Sequence, residues 1–236
     1  SMELKFDIEN PNYQYITDNE KAQKALEDLS KEKIVAVDIE ANSLDPYVGV
    51  MFMVQIGKED IAYIFDTRKV DLNKLPLFKE IMENQKIIKI LQNCKFDYSY
   101  IKVKFDVEIT NMFDTMLADG VLNSGYKASL KLEEIANRRV EPGILGNKEK
   151  LQKSFANLPR NTRITQEQRA YAAIDVLILF PIMQKQIALL QKESLLKIAK
   201  LEFATAPVVA KMELNGVYIN TKKWRDILEN LKVRRN

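Results

Sequence analysis

Residues 35–40 read VAVDIE, and this stretch decides how the rest of the fold is arranged. The residues before Asp38 are apolar on both faces, as in a central strand that helices cover on both sides. Side chains alternate along a strand, so Asp38 and Glu40 point the same way, about 7 Å apart. Two such like charges repel each other, and a bound cation explains why they stand together. The end of this strand is therefore a candidate site for a divalent metal ion.

The composition is that of an ordinary globular protein, with 46% hydrophobic and 29% charged residues in a chain of 236. This length suffices for one large α/β domain with an extension, or for two small domains. A net charge of +3 permits a nucleic-acid partner but does not by itself indicate one. No uninterrupted apolar run approaches the ~18 residues of a membrane span, so no membrane partner is expected.

Two features of the composition exclude whole classes of chemistry. The chain has no histidine, which removes histidine general bases, histidine metal ligands and Ser-His-Asp triads. Its single cysteine, Cys94, allows no internal disulfide and suits a reducing compartment. We therefore expect a cytoplasmic protein, associated with the nucleoid if the source is bacterial; an organellar or phage origin stays open.

Hydrophobic periodicity predicts an α/β fold in which helices flank a mixed sheet and the acids lie at a strand end. The predicted strands are 33–39, 50–56, 61–65, 87–91, a short edge strand 107–109 and 217–219, of which the second and third form a hairpin. The predicted helices are 17–30, 75–83, 96–103, 112–122, 130–139, 165–192 and 195–214, with a short one near Lys150 and a last one that begins at Thr221.

Residue types at the helix ends sharpen this prediction. Thr17 and Thr165 each open a helix, with Glu or Gln three residues later as in a capping box. Pro181 is expected to bend the long helix that Thr165 opens. Gly216 ends the helix 195–214 in the usual C-terminal way.

Two further acids follow apolar elements. Asp97 ends the sequence NCKFD and lies in the first turn of a helix, where an acid also complements the helix dipole. Tyr171 and Asp175 are four residues apart in YAAID and share one helix face. The helix continues with an apolar run and should be buried. A buried carboxylate needs a partner, and a metal ion is one of the few adequate ones.

Together these motifs supply four carboxylates, Asp38, Glu40, Asp97 and Asp175. Oxygen-only ligand sets suit Mg²⁺ or Mn²⁺ rather than Zn²⁺. Four acids at one point offset two divalent ions, the arrangement used for in-line attack of water on a phosphodiester. Tyr171 is then placed to orient that water.

The order of the three motifs, D-x-E, N-x-x-[FY]-D and Y-x-x-x-D, resembles that of the DEDDy 3′–5′ exonucleases, which have a ribonuclease H-like fold. The resemblance covers residues 15–192 and implies that the four carboxylates bind two divalent cations. It also implies substrate contacts from Leu44, at the terminal base, and from Gln92 and Asn93. Ile144 is our choice for the apolar contact between the second and third motifs. Ala41 departs from the family, where a hydroxyl residue is common at this position.

The C-terminal segment resembles the junction that enters the polymerase domain of family A, DNA polymerase I-type enzymes. The matching positions are Glu202, Pro207, Val208, Val209, Met212, Glu213, Asn215, Gly216, Val217, Ile219 and Asn220. The implied domains are 1–193, the exonuclease, and 194–236, the start of a polymerase domain that is truncated and should not synthesise DNA by itself. A plain amphipathic helix with a glycine cap is the alternative interpretation.

The resemblance implies a proofreading exonuclease that acts on a single-stranded DNA 3′ end and releases nucleoside 5′-monophosphates. Its expected partner is the polymerase domain of the same full-length chain, and a monomer is expected. Asp38 is expected to bridge both metal ions and Glu40 to bind one. Candidate contacts to the nucleic-acid backbone are Lys148, Lys150, Lys153, Arg160 and Arg163, which also fit a solvated loop.

The sequence is also compatible with two other functions. A ribonuclease D-like exoribonuclease would share every catalytic residue, so the motifs do not discriminate between DNA and RNA. An inactive exonuclease-like module would bind DNA or brace a polymerase domain, although the retention of all four carboxylates and Tyr171 argues against it.

Overall fold

The computed structural model describes residues 3–123, 127–146, 151, 153–217 and 226. Six strands form one mixed sheet in the order β1-β4-β3-β2-β5-β6. They are β1 (Tyr13–Ile16), β2 (Ile34–Ala41), β3 (Met51–Gly57), β4 (Ala62–Asp66), β5 (Ile88–Leu91) and β6 (Met112–Asp114). The pairs β2–β3 and β3–β4 are antiparallel, and the other three pairs are parallel. The predicted mixed sheet and its hairpin are confirmed.

Helices cover both faces of this sheet within the described residues. They are α1 (Asn19–Leu29), α2 (Pro76–Glu83), α3 (Cys94–Phe105), α4 (Thr115–Leu122), α5 (Leu132–Arg139), α6 (Gln166–Leu177), α7 (Leu179–Lys192) and α8 (Leu196–Leu214), with a 3₁₀ turn at Leu72–Lys74. The arrangement is a ribonuclease H-like fold, as the motifs implied.

Strand β2 lies in the centre because its side chains are apolar on both faces. Val35 and Val37 pack into the core on the side of α1, α2 and α3, and Ala36 packs into the core on the side of α6 and α7. All three side chains are fully buried. A strand of this kind is stable only between two layers of helices. Its polar end is therefore the part of the strand that can reach an opening in the protein surface.

The first helix buries the predicted side chains but begins at a different cap. Ala22 and Leu26 are among its buried residues, as the periodicity predicted. The cap is Asp18, whose Oδ1 accepts a hydrogen bond from the backbone N–H of Lys21 at 2.8 Å. The predicted cap at Thr17 is wrong because the carboxylate one residue later is an equally good acceptor and lies at the true boundary.

The edge of the sheet is also displaced from its predicted position. The residues 107–109 form no strand, and the sixth strand is Met112–Asp114, which pairs in parallel with β5. The predicted helix 112–122 therefore begins only at Thr115. Short apolar runs fit a strand or a buried helix equally well, and here pairing with a neighbouring strand decided between them.

The helix predicted over 165–192 is two helices with a break at Ile178. Thr165 forms the predicted capping box with Gln168. Pro181 lies in the first turn of α7, and its ring has no N–H to donate to the carbonyl of Leu177. The interruption therefore falls before the proline and not at it.

The stretch Gln166–Lys192 passes a test of length and composition for a membrane span, with a mean hydropathy of 1.6 in its most apolar window. However, 72% of that window is buried inside the protein. A core helix passes the same test: α6 packs on strands β2, β3 and β4, and α7 packs on β5. Polar residues interrupt this stretch, so it contains no unbroken apolar run of the length that a membrane span requires.

The last described helix, α8, packs against the same body as the other helices. Phe203 contacts Phe113 of β6 with ring centroids 4.7 Å apart, and Ala206 and Ala210 join the core on the side of α3. Gly216 ends this helix with φ of +82°, as predicted. The division after residue 193 stays a prediction. Most of the strand predicted over 217–219, the helix predicted from Thr221 and the position of Lys150 lie outside the described residues.

Asp114 ties two helices to the edge of the sheet. Its carboxylate is buried and accepts hydrogen bonds from the backbone N–H groups of Asn93 and Cys94, at the start of α3, and of Met116, at the start of α4. We expect Asp114→Ala to lower the free energy of unfolding by about 3 kcal/mol, because buried donors lose a charged acceptor. A fall of about 6–12 °C in the melting temperature would follow for a chain of this size.

The matched control is Asp18→Ala, which removes an exposed cap with one hydrogen bond and should cost about 1 kcal/mol. Thermal unfolding of the two variants compares them directly. Equal melting temperatures would show that the buried carboxylate does not organise these helix ends.

Candidate active site

A cleft of about 1110 Å³ opens at the end of β2, and the predicted site residues meet there. Asp38 and Glu40 come from β2, Asp97 from the first turn of α3, and Tyr171 and Asp175 from α6. Residues separated by more than 130 positions in the sequence thus line one cavity. The sheet order brings them together because β2 is central and receives helices on both faces.

The carboxylates are close enough to share a cation. One ligand oxygen each of Asp38, Glu40 and Asp175 lies within 4.8 Å of the other two, the arrangement of a metal site among the described residues. Asp97 is not one of these three, but it lines the same cleft and is close enough for the charge of Asp38 to raise its pKa. Glu40, Asp97 and Asp175 are all buried, so water screens their mutual repulsion poorly.

A local irregularity of the sheet stands next to this cluster. The register between β2 and β3 shifts between Glu40 and Ala41, so Glu40 pairs with Met53 but Ala41 pairs with Met51. Such bulges re-aim side chains and are common beside functional sites. The alternation of residues along the strand could not reveal this shift, because it depends on the partner strand.

The start of α3 is held in an unusual backbone conformation. Asn93 has φ of 63°, in the left-handed region that Asn tolerates better than most residues. The buried carboxylate of Asp114 accepts hydrogen bonds from the backbone N–H groups of Asn93 and Cys94. This sharp turn from β5 into α3 directs Asp97 toward β2.

Burial and mutual repulsion raise the pKa values of the clustered acids. Burial raises the pKa of Asp38 to about 7. Burial, with the charges of Asp38, Asp175 and Asp97, raises the pKa of Glu40 well above its usual range. Burial and the charge of Asp38 do the same for the pKa of Asp97. Without a cation these carboxylates therefore favour their protonated forms.

The donor set fits a hard divalent cation. Every candidate ligand is a carboxylate oxygen, the type that Mg²⁺ and Mn²⁺ prefer. Oδ1 of Asp97 is buried and has no hydrogen-bond partner within the described part of the chain. Such an atom is costly unless a ligand satisfies it. Asp38, Glu40, Asp97 and Asp175 are therefore the residues that would hold a metal.

Tyr171 keeps its proton at any ordinary pH. Burial raises the pKa of its hydroxyl far above the usual value, and the charges of Asp175 and Glu40 add to this effect. Asp175, one helical turn along α6, lies close enough for its carboxylate to contribute to this shift. The phenol can therefore donate or accept a hydrogen bond in the cleft but does not act as a phenolate.

Leu44 stands at the mouth of the cleft on a loop that is firmly anchored. Its side chain is 86% exposed. Asn42 holds one end of the loop: its Nδ2 donates to the carbonyl of Leu158 and its Oδ1 accepts from the N–H of Val50, both at 2.8 Å. An exposed apolar residue on a fixed loop beside the acids is the position expected for a base contact.

Tyr100 is a supporting residue that sequence reasoning missed. Its hydroxyl donates a hydrogen bond to the carbonyl of Ser43, so α3 holds the loop that carries Leu44. A side chain at Gly49 would place its Cβ 1.9 Å from this hydroxyl, so the loop closes over Tyr100 only with glycine there. The sequence pattern predicts a helix over 96–103 but carries no signal for a role of this hydroxyl.

Two of the predicted substrate contacts, Gln92 and Ile144, have their side chains engaged elsewhere in the structure. The amide of Gln92 is engaged at both ends, since Nε2 donates to the carbonyl of Leu130 and Oε1 accepts from Oγ1 of Thr115. It lines the cleft but supports the wall. Ile144 does not line the cleft; its neighbour Leu145 does, and Ile144 packs against the core. The structure therefore does not place Ile144 at the cleft, because the loop conformation decides which side chain faces inward.

The other predicted contacts are placed more simply. Asn93 is exposed and lines the cleft. Lys153, Arg160 and Arg163 are exposed, as expected of backbone contacts or of a solvated loop. The predicted contacts Lys148 and Lys150 lie outside the described residues.

The sequence of the chain matches a known family over most of its length. The profile of the 3′–5′ exonuclease family matches residues 13–191. DNA polymerase I of Borreliella burgdorferi is 28% identical over an alignment of 225 residues that covers 91% of this chain and 24% of that protein. The exosome complex exonuclease RRP6 of Saccharomyces cerevisiae is 28% identical over 116 residues, 49% of this chain and 16% of that protein. The chain thus spans at most about a quarter of the length of these relatives.

Solved structures share the fold at low sequence identity. Escherichia coli RNase D, an exoribonuclease, superposes with a TM-score of 0.73 at 20% identity, over 84% of this chain and 50% of that one. Brucella melitensis NrnC with bound Mg²⁺ has a TM-score of 0.67 at 22% identity, over 87% of this chain and 92% of that one. With the family profile and the geometry of the four carboxylates, these findings show that the chain belongs to the 3′–5′ exonuclease family, whose members are metal-dependent hydrolases.

Proposed function

We propose that this chain removes nucleotides from the 3′ end of single-stranded or frayed DNA and releases nucleoside 5′-monophosphates, as a proofreading exonuclease does. The observation that carries the choice of DNA is the extent of one match. Similarity to a DNA polymerase I covers 91% of the chain, and so continues beyond residue 191, where the family profile ends. Sequence similarity to RRP6 covers only 49% of the chain, although the fold of RNase D superposes over 84% of it.

The proposed cofactors are two divalent cations, Mg²⁺ or Mn²⁺, held by Asp38, Glu40, Asp97 and Asp175. Four carboxylates offset the charge of two such ions, and the Mg²⁺ in the NrnC structure supports the choice of metal for this fold. When bound, the ions supply an activated water and stabilise negative charge on the leaving oxygen. Asp38, Glu40, Asp97 and Asp175 would hold these ions, and a metal-bound structure would test each assigned ligand.

The reaction is hydrolysis of the terminal phosphodiester bond. The oxygen of a water attacks phosphorus, the bond from phosphorus to the 3′ oxygen of the preceding nucleotide breaks, and that oxygen takes up a proton. Tyr171 stays protonated and lines the cleft beside Asp175. Its hydroxyl can therefore hold the attacking water in line with the leaving oxygen, which is a positioning role.

The cleft walls hold the strand end in place. Leu44 is exposed at the mouth and offers an apolar surface to the terminal base, and Asn93 offers an exposed amide at the start of α3. The anchored loop keeps Leu44 in one place, so little conformational freedom is lost when the base docks. Bases of every type offer an apolar face, so these contacts suit a substrate of any sequence.

The larger context belongs to this proposal as well. Residues 194–236 are proposed to lead into a polymerase domain of the same full-length chain, which would supply frayed primer ends to this site. The chain is proposed to act as a monomer in the cytoplasm. An inactive module is disfavoured, because Asp38, Glu40 and Asp175 converge on one cleft in an arrangement that could hold a metal ion.

A second candidate is a ribonuclease D-like exoribonuclease. It is favoured by the relatives and neighbours that are described as RNA-processing enzymes, RRP6 and RNase D. The same carboxylates and Tyr171 would serve either substrate, since hydrolysis of the terminal bond does not involve the 2′ position.

The proposed roles predict the activity of single variants. Asp97→Asn should lower the rate about 10²–10³-fold, because it removes a charged ligand while it keeps the shape of the side chain. Tyr171→Phe should lower the rate about 10²-fold. The measurement is release of the labelled 3′-terminal nucleotide from single-stranded DNA in Mg²⁺.

Asp106→Asn is the control for these variants. Asp106 is exposed at the end of α3 with φ of 51°, a conformation that Asn also adopts, so the activity should stay within twofold. Retention of more than a tenth of the activity by Asp97→Asn would contradict the assigned site.

Matched DNA and RNA oligonucleotides of one sequence separate the two candidate functions. We expect kcat/KM to be at least tenfold higher on the DNA, measured with the same 3′ label and the same Mg²⁺ concentration. The 2′-hydroxyl is the group that lets a site distinguish the two strands. A preference for RNA of the same size would replace the proofreading proposal by the exoribonuclease.

The electrostatics of the site predict that one substitution, Asp38→Asn, changes the melting temperature in opposite directions without and with a metal ion. The pKa of Asp38 is about 7 in the folded protein, against 3.8 for an ordinary aspartate. The folded state therefore binds the proton more tightly, and its stability falls as the pH rises from about 4 to 7. In EDTA at pH 8, Asp38→Asn should melt at a higher temperature than the parent, by about 2–4 °C for each kcal/mol of repulsion removed.

Addition of Mg²⁺ should reverse this order, because the cation stabilises the parent and binds the variant weakly. Differential scanning calorimetry at pH 8 and pH 4, with and without Mg²⁺, measures both effects. At pH 4 the advantage of the variant should disappear. A variant that melts below the parent in EDTA at pH 8 would show that the cluster is not strained without metal.

A further inference from the structure

A second cavity, of about 460 Å³, lies at the sheet edge formed by β1, apart from the cleft of the carboxylates. Its lining is Tyr13, Arg163, Ile164, Thr165, Gln166 and Arg169, and we call it the basic pocket. We propose that the basic pocket binds a backbone phosphate of the substrate strand, several nucleotides upstream of the bond that is cut. This inference rests on the proposed function and extends it to a second contact with the nucleic acid.

Arg169 is the strongest feature of the pocket. Its guanidinium lies over the ring of Tyr15, 3.8 Å from the centroid, which holds the charge in place. Its Nε is buried and lacks a hydrogen-bond partner across the described ranges. An arginine fixed by an aromatic ring, with donors left over, matches the planar two-point recognition of a phosphate.

The nearest buried carboxylate does not compete for Arg169. Asp66 is bound on both oxygens by Arg68, at 3.0 Å from Nε and 2.9 Å from Nη2. Tyr15 donates its hydroxyl to the same carboxylate. The charge of Asp66 is thus already balanced, and Arg169 contributes a positive charge to the pocket.

The other lining groups add positive charge and donors. Arg163 is exposed, and no ion pair of its side chain is found in the portion of the chain that the structure describes. Thr165 caps α6: its hydroxyl oxygen accepts a hydrogen bond from the N–H of Gln168. The N–H groups of the helical residues before Gln168 have no hydrogen-bond partner inside the helix. Glu167 is exposed on the same turn and offsets one of the two arginines.

The register of the sheet places this pocket within reach of the active site. Glu40 pairs with Met53, and Met53 pairs with Asp66 on β4. Strand β1, which carries Tyr15, is the next strand. Three strand spacings of about 4.8 Å separate β2 from β1, or about 14 Å. At about 3.4 Å per stacked nucleotide, four nucleotides span this distance.

The inference predicts a dependence on substrate length. In an Asp97→Asn background, in which cutting is about 10²–10³-fold slower, Arg163→Ala and Arg169→Gln should each raise the Kd for a 12-nucleotide DNA about tenfold, the effect of one charge-assisted hydrogen bond. The Kd for a dinucleotide should stay within twofold. Fluorescence anisotropy of a labelled oligonucleotide gives these values. For a single strand, the slope of log K against log salt should fall by about 0.7 for each phosphate that the variant no longer neutralises.

Three controls separate the loss of a phosphate contact from other effects of the substitutions. Lys192→Ala removes an exposed positive charge at the end of α7 and should change the Kd less than twofold. Melting temperatures test whether Arg169→Gln disturbs the packing on Tyr15, and Arg163→Ala, at an exposed position, serves as the variant that cannot do so. Competition by inorganic phosphate and by thymidine monophosphate tests whether the pocket prefers a free anion.

Each result decides between the proposals. A parent protein that binds no single-stranded DNA would contradict the proposed function and this inference with it. A parent that binds while both arginine variants bind equally well would overturn the inference alone. Equally weakened binding of the dinucleotide and the 12-mer would also overturn it, because the arginines would then support the cleft. If the arginine variants lost the binding of thymidine monophosphate but bound the 12-mer as the parent does, the pocket would be a site for free nucleotides. That result would also overturn the inference.

Discussion

The repulsion among buried carboxylates at the end of β2 is the constraint on which the rest of this structure depends. Burial and mutual charge raise the pKa values of Asp38, Glu40 and Asp97, so the fold holds these groups together against an unfavourable electrostatic energy unless a cation is present. The apolar packing of β2 on both faces provides the stability that keeps them there. Local conflict of this kind, compensated elsewhere in the fold, is typical of functional sites.

The other buried acids of the chain show what a structural carboxylate requires. Asp66 is paired with Arg68, and Asp119 with Arg138 and Arg139. Asp114 is satisfied by backbone N–H groups at two helix ends. Each of these acids is satisfied by arginines or by several backbone donors, whereas the acids of the cleft face one another, with one amide donor, from Gln55 to Asp38. The distinction between support and chemistry therefore lies in the partners of each carboxylate and not in its residue type or depth.

The structure also shows where sequence patterns mislead, and in each case a longer-range contact is the reason. Met112–Asp114 fits a helical pattern but pairs with β5. Gln92 stands beside the second motif, yet Thr115 and Leu130 engage both ends of its amide. Leu145, and not Ile144, faces the cleft, because the loop conformation decides which of two adjacent apolar residues turns inward. Local spacing carries no information about any of these partners.

The sequence by itself determined the chemistry of this protein. The identity and order of the four acids and Tyr171, the lack of histidine, and the apolar faces of β2 follow from covalent spacing alone, because the period of a strand or helix sets which side chains share a face. Only the tertiary structure decided the distances among the acids, the bulge beside Glu40 and the basic pocket around Arg169. These features join residues far apart in the chain, and their positions depend on strand order, register and burial.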